Sequence, residues 1–209
     1  MELYNTGDLY LIGGAPREFL ETGNIKDAKD IDVVIDTKET DKFDAVCKKY
    51  HARKNFFDGY KITYHDIVVD VWRIEQTWAY RENIINCSEE DYLKNLPFTV
   101  FFNLDSLVYD IKRNVWYDEL YIKAKESNTL DIVLEENPHI DLNILRGMIF
   151  QNRYHMKYSI RLKELILDHY KKEREYEKIL HDIQFKRYKK EILSLNDIKN
   201  QLDYIFSKR

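Results

Sequence analysis

The run Asp30-Ile31-Asp32-Val33-Val34-Ile35 limits what this chain can fold into more than any other stretch. Side chains alternate between the two faces of a strand, so Ile31, Val33 and Ile35 share one face while Asp30 and Asp32 share the other. The apolar face needs a core to cover it. The acidic face sets two like charges side by side, which is costly unless a cation joins them. Carboxylate oxygens suit a hard divalent ion, with magnesium first. The pair reads as a metal clamp on a half-buried strand, against the plainer reading of an acidic pair exposed on an edge strand.

The residues upstream weigh against the plainer reading. Leu9-Tyr10-Leu11-Ile12 has the character of a short buried strand, Gly13-Gly14 of a bare-backbone turn, and Pro16 of the first residue of a helix through Phe19 and Leu20. A helix start preceded by glycines binds phosphate. Strand, glycine turn, helix and aspartate strand together place a polyphosphate beside divalent metals, as phosphoryl or nucleotidyl transfer requires. Arg17 closes the turn, either as a phosphate ligand or as a brace paired with Glu18 or a strand carboxylate.

These residues resemble the head domain of tRNA nucleotidyltransferases and bacterial poly(A) polymerases, members of the polymerase-beta superfamily. The family pattern is GGxVRD followed by DxDhV; this chain has Gly13-Gly14-Ala15-Pro16-Arg17-Glu18, then Asp30-Ile31-Asp32-Val33-Val34. The resemblance implies a third carboxylate on a neighbouring strand. Ile67-Val68-Val69-Asp70-Val71-Trp72-Arg73 is similar to the family's hEVxTFR, with Asp70 at the acidic position, although a strand shifted by two residues would offer Val68. Phe102 to Asp110 resembles FTINALAYD, and Leu145-Arg146-Gly147-Met148-Ile149-Phe150 with Arg153 resembles LRAVRFAAR, so the landmarks span roughly residues 8 to 156.

The resemblance implies an α+β fold with a small mixed sheet in a polymerase-beta-like nucleotidyltransferase head over residues 1–120, then a helical neck-like region over 121–209. It implies two magnesium ions held by Asp30, Asp32 and Asp70. Nucleotide contacts are expected from Gly13, Gly14, Arg17, Arg146 and Arg153, with an NTP as donor and an RNA 3′ end, tRNA or tRNA-like, as acceptor. Helix arginines such as Arg146 and Arg153 can equally be solvated or bracing side chains.

The departures from the family pattern concern base selection. Thr99-Val100-Phe101 stands where the family writes RRD. Where it writes EDxxR, the register from Leu145-Arg146 gives His139, Ile140 and Asn143 at the Glu, Asp and Arg positions, with Asp141 one residue out of step. The amino-acid template that reads C and A is therefore absent unless Asp141 serves. Base selection is expected to be atypical, and two other readings stay open: transfer to a protein or small-molecule acceptor, and a non-catalytic nucleotide- or RNA-binding homologue.

Composition sets limits. A hydrophobic fraction of 44% and a charged fraction of 33% suit a globular domain, and 209 residues can bury an ample core. The chain is shorter than a full tRNA nucleotidyltransferase by the domains that hold the tRNA elbow. No apolar run is long enough to span a membrane, and Met1-Glu2-Leu3-Tyr4-Asn5 lacks the regions of a signal peptide, so a cytoplasmic protein is expected. Cys47 and Cys87 have no metal-ligand spacing and are expected to stay reduced. Residues 161–209 carry 13 Lys and Arg against 9 Asp and Glu, a surplus of +4, whereas the first 160 balance at −8. A basic tail can hold a polyanion, but the whole chain, at −4, predicts only modest, salt-dependent RNA affinity.

Periodicity places a helix over Asp41 to Tyr50, on Phe43, Val46, Cys47 and Tyr50. A meander follows, with strands at Asn55 to Phe57, Tyr60 to Tyr64 and Ile67 to Trp72 and turns at Asp58-Gly59 and His65-Asp66. Ser88 to Asp91 is a helix start that ends near Pro97. Beyond Pro138 two to four helices are expected, the last reaching Phe206.

Overall fold

The computed structural model describes residues 2–25, 30–55, 59–65 and 67–207, which divide into two compact units. The first holds residues 1–100 and 104–122; the second holds 101–103 and 123–209.

In the first unit the elements run β1 (Asp8–Ile12), α1 (Gly14–Thr22), β2 (Ile31–Asp36), α2 (Thr40–Lys49), β3 (Arg53–Lys54), β4 (Tyr60–Tyr64), β5 (Ile67–Arg73), α3 (Trp78–Arg81), α4 (Tyr92–Asn95), β6 (Val108–Asp110) and β7 (Val115–Tyr117). Seven strands form one sheet in the order β3-β4-β5-β2-β1-β6-β7, larger than the small sheet expected. Only β2 and β5 are parallel; the other pairings are antiparallel. The register sets Lys61, Asp70, Asp32, Ile12, Val108 and Tyr117 in one row across β4, β5, β2, β1, β6 and β7. Paired residues point to the same face, so this row is a single surface.

The alternation read from the sequence fixes which face is which. Val33 and Ile35 pack with Leu9, Val69, Val71 and Ile62 against Phe43 and Cys47 of α2. Phe43 is 1% exposed, and burying a side chain of that size stabilises the fold by about 2–3 kcal/mol. Asp41 in the first turn of α2 and Lys48 and Lys49 in its last complement the helix dipole. On the other face Val34 packs with Tyr10, Ile12, Val108, Ile74, Tyr80 and Leu96, so the carboxylates stand on this side, beyond the end of that cluster.

Two expectations need correction. Helix α1 begins at Gly14 with Gly13 as its N-cap, so Pro16 is the third helical residue and not the first. Proline is tolerated there because first-turn N–H groups have no intrahelical acceptor. Among the described residues the first strand of the meander is Arg53–Lys54, and Asn55 follows it with its N–H donating to Gly59 O at 2.9 Å; residues 56–58, on which the rest of the expected strand falls, and Asp66 of the next turn lie outside the described residues. The Ser88 helix start is a 3-10 turn over Glu89–Asp91 that leads into α4, and a further 3-10 turn carries Pro97.

Helix α5 (Glu119–Ser127) spans the boundary between the units. The second unit continues with β8 (Thr129–Leu130), α6 (Ile140–Tyr154), β9 (Lys157–Tyr158), α7 (Ile160–Lys172), α8 (Tyr176–Tyr188) and α9 (Leu195–Ser207), so the helices beyond Pro138 number four among the described residues. Segment 101–103 joins this unit through the Asn103 side chain, which donates to Thr129 O at 2.9 Å and accepts from Asp131 N at 3.1 Å. Buried Gln184 satisfies the 192–193 backbone, donating to Leu193 O and accepting from Ile192 N, both at 2.8 Å. No described helix is long and apolar enough to cross a membrane.

Candidate active site

Asp32 and Asp70 are direct partners across β2 and β5, and Asp30 immediately precedes β2. Burial pushes the Asp32 carboxyl up to about 7; Asp30, Asp70 and Asp105 push it further the same way, and Lys61 pulls it down. Burial is the larger cause, and the neighbouring carboxylates add to it more than Lys61 offsets.

The glycine turn closes on this carboxylate. Gly13 has φ +76°, and a Cβ there would stand 2.8 Å from Asp32 Oδ2. Glycine is required twice over, by its backbone angle and by the close approach. Gly14 differs: the nearest atom to a Cβ would be Arg17 Nη2 at 3.8 Å, an ordinary contact with the far end of a side chain, so a Cβ fits there. The N-terminus of α1 has no side-chain cap hydrogen bond, so its first N–H groups are not satisfied by a capping side chain, while its C-terminus is closed by Gly23, whose N–H donates to Phe19 O at 2.8 Å.

Arg17 is anchored. Its Nη1 pairs with Asp105 Oδ1, both side chains nearly buried, while Nη2 lies toward Gly14. The guanidinium is thus braced by Asp105 and lies beside the glycine turn. Asp70 has two partners: Lys61 Nζ pairs with Oδ2, and Asn55 Nδ2 donates to Oδ1 at 3.3 Å. Asn55 is itself held by Gly59, which donates to its side-chain oxygen at 2.9 Å. A Cβ on Gly59 would meet Trp72 Cβ and Val71 O at 2.9 Å, so a side chain there would dislodge this support.

Arg146 and Arg153 belong to α6 of the second unit. Arg146 Nη1 donates to Asn143 Oδ1 at 3.1 Å, with its guanidinium 5.7 Å from the Phe150 ring centre, and Arg153 lies 5.2 Å from the Tyr154 ring centre. Asn143 is buried and also donates to Asn137 Oδ1 at 2.9 Å. Asp141 accepts from Tyr176 OH at 2.7 Å and faces His169 Nδ1 at 3.3 Å.

The carboxylate face of the first unit therefore gathers Asp30, Asp32, Asp70, Gly13, Gly14 and Arg17, together with Asp105, Lys61 and Asn55, which sequence reasoning did not single out. The donors are all oxygen, and their excess charge fits a hard divalent cation. Among the described residues no three His, Cys, Asp or Glu side chains come together as a ready-made metal cage. A cavity of about 580 Å³ lined by Leu11, Pro16, Phe19, Tyr109 and Trp116 lies on the opposite face, since Leu11, Tyr109 and Trp116 pair in the alternate row. Both cysteines are free, and burial pushes the Cys47 thiol up to about 12, which keeps it inert.

No protein-family model matches the chain, and no curated protein matches it. Solved structures do. A tRNA-processing enzyme with CTP is 15% identical, with a TM-score of 0.64 over 96% of this chain and 53% of the other. A tRNA nucleotidyltransferase complexed with a primer tRNA and an incoming ATP analog is 16% identical, with a TM-score of 0.64 over 96% and 58%. The Thermotoga maritima CCA-adding enzyme complexed with tRNA is 14% identical, with a TM-score of 0.61 over 95% and 47%. The chain spans about half the length of the structures it matches. At this level of identity the likeness is one of architecture, and the chain has the fold of the corresponding part of the tRNA nucleotidyltransferases.

Proposed function

We propose that the chain is a nucleotidyltransferase that adds a nucleoside monophosphate from an NTP to the 3′-hydroxyl of an RNA of tRNA type, releasing pyrophosphate. The observation that carries this reading is the opposition of Asp32 and Asp70 on one sheet face, with the Asp32 carboxylate seated on the Gly13 turn that opens α1. The CTP, ATP analog and tRNA of the matched structures supply the donor and acceptor classes.

Asp30, Asp32 and Asp70 are the residues that would hold magnesium, in the two-ion arrangement the motifs imply. Bound there, magnesium supplies positive charge that acidifies the attacking hydroxyl and neutralises the leaving pyrophosphate. The backbone N–H groups at the start of α1 take the triphosphate, with Arg17 beside them. Asp105 fixes Arg17 so that little ordering is left to do when substrate binds. The hydroxyl attacks the α-phosphorus in line, and no covalent protein intermediate is needed.

Base selection differs from C-then-A addition in this reading. Ile140 offers no hydrogen bond, Asn143 is buried in bonds to Asn137 and Arg146, and Asp141 is engaged by Tyr176 and His169. The test is incubation of the full chain with each radiolabelled NTP, Mg²⁺ and total cellular RNA, followed by sizing. Labelled RNA and pyrophosphate are expected, and neither with Asp32→Ala. Label in protein or in a small molecule would instead support transfer to another acceptor, and NTP binding without pyrophosphate release would support a non-catalytic binder.

A further inference from the structure

We propose that Lys61 is a tethered counter-cation of the carboxylate row: its ammonium occupies Asp70 until a divalent ion displaces it, and it then turns to the incoming triphosphate. The inference rests on the reading of Asp32 and Asp70 as metal ligands. Lys61 and Asp70 are direct partners in the β4–β5 ladder, so their side chains share the face that carries Asp32. Both oxygens of Asp70 are taken, Oδ2 by Lys61 and Oδ1 by Asn55.

The two partners are not equally free to leave. Asn55 is pinned by Gly59, donating to Gly59 O through its backbone N–H at 2.9 Å and accepting Gly59 N–H on its side chain at 2.9 Å. The Lys61 side chain is 44% exposed on a flexible four-carbon stem, whereas Asp70 is 13% exposed. The ammonium is the group that can exchange. Its charge also reaches Asp32, which it draws down while Asp30, Asp70 and Asp105 push up. One positive charge cannot balance that set; a divalent ion balances more of it.

Once displaced, Lys61 remains in the row beside the metal ligands, and an ammonium there suits a phosphate oxygen as a point charge. Metal alone must evict Lys61 with nothing to receive it, whereas metal arriving with a triphosphate gives the ammonium a new partner. Metal and nucleotide therefore favour each other's binding, and the coupling is reciprocal.

The experiment measures Mn²⁺ binding to the full chain by calorimetry, with and without a non-hydrolysable NTP, in wild type, Lys61→Met, Lys61→Arg and Asp32→Asn. Lys61→Met is expected to bind Mn²⁺ alone about tenfold more tightly than wild type, and to lose most of the enhancement that the nucleotide gives. Lys61→Arg should behave as wild type. In EDTA, Lys61→Met should melt below wild type, with Mn²⁺ closing the gap, which a purely structural lysine would not do. Unchanged or weaker Mn²⁺ binding by Lys61→Met overturns the assignment, as does a Lys61→Met chain that misfolds and is not rescued by Mn²⁺. Abolished binding in Asp32→Asn beside an unchanged Lys61→Met overturns the Lys61 role alone; unchanged binding in Asp32→Asn overturns the metal reading itself.

Discussion

Burial and its acidic neighbours push the Asp32 carboxyl up to about 7 from 3.8. Between those values the native state binds more protons than the unfolded one, so this group lowers stability as pH rises from about 4 to about 7. In EDTA, Asp32→Asn should melt a few degrees above wild type at pH 7.5 and no higher at pH 4, as thermal scans at the two pH values will tell. The same substitution, or Asp30→Ala, should abolish transfer, so stability and activity are expected to move in opposite directions. A variant that keeps near wild-type pyrophosphate release would mean the ligands are elsewhere. The acidic pair was legible because alternation alone assigns its face. Lys61 was legible in principle, since antiparallel pairing of Tyr64 with Ile67 sets 61 opposite 70. The Arg17–Asp105 pair was not: 88 residues separate the partners, and no local pattern links them.

The turn between β1 and α1 separates two jobs that adjacent glycines perform. Gly13→Ala must hold φ near +76° and press a methyl group onto Asp32, which should cost about 1–3 kcal/mol in chemical denaturation. Gly14→Val meets only the far end of the Arg17 side chain at ordinary contact distance, so the fold should survive while the KM for NTP rises tenfold or more, roughly the loss of one good phosphate contact. Unchanged nucleotide affinity in a folded Gly14→Val chain would remove the phosphate from this turn. In the second unit Gly147 lies under the buried Phe102 ring, 2.9 Å from where a Cβ would stand, and Gly147→Ala should destabilise that unit by about 1–3 kcal/mol. Helix α2 was placed to within a residue at each end because its apolar spacing is regular. The start of α1 was read two residues late because a proline signals a helix start more loudly than an uncapped glycine does, although glycine alone supplies the positive φ. The strand at Arg53–Lys54 is two residues long, too short to show a period in the sequence.

Across the whole molecule the sequence conveyed the order of the landmarks, while the size of the sheet depended on the short pairings of β3, β6 and β7, too brief to show a period. The expected consequence of the altered second unit is functional. Given CTP, ATP and a tRNA lacking its CCA end, the protein should not add a clean, self-terminating triplet, and sequencing the products should find relaxed or single-nucleotide use. Ordered C-C-A addition would restore the ordinary tRNA-repair reading. The parallel pairing of β2 with β5 carries one more consequence. Strands joined by a long crossover must close a loop before they pair, so such contacts form late and weigh on the folding barrier. Here the same step drives Asp32 against Asp70. Refolding in EDTA should therefore run faster as salt is raised, and less so in Asp70→Asn, a comparison that stopped-flow fluorescence of the three tryptophans can make. The ions proposed to serve the chemistry would then also speed the birth of the site proposed to hold them.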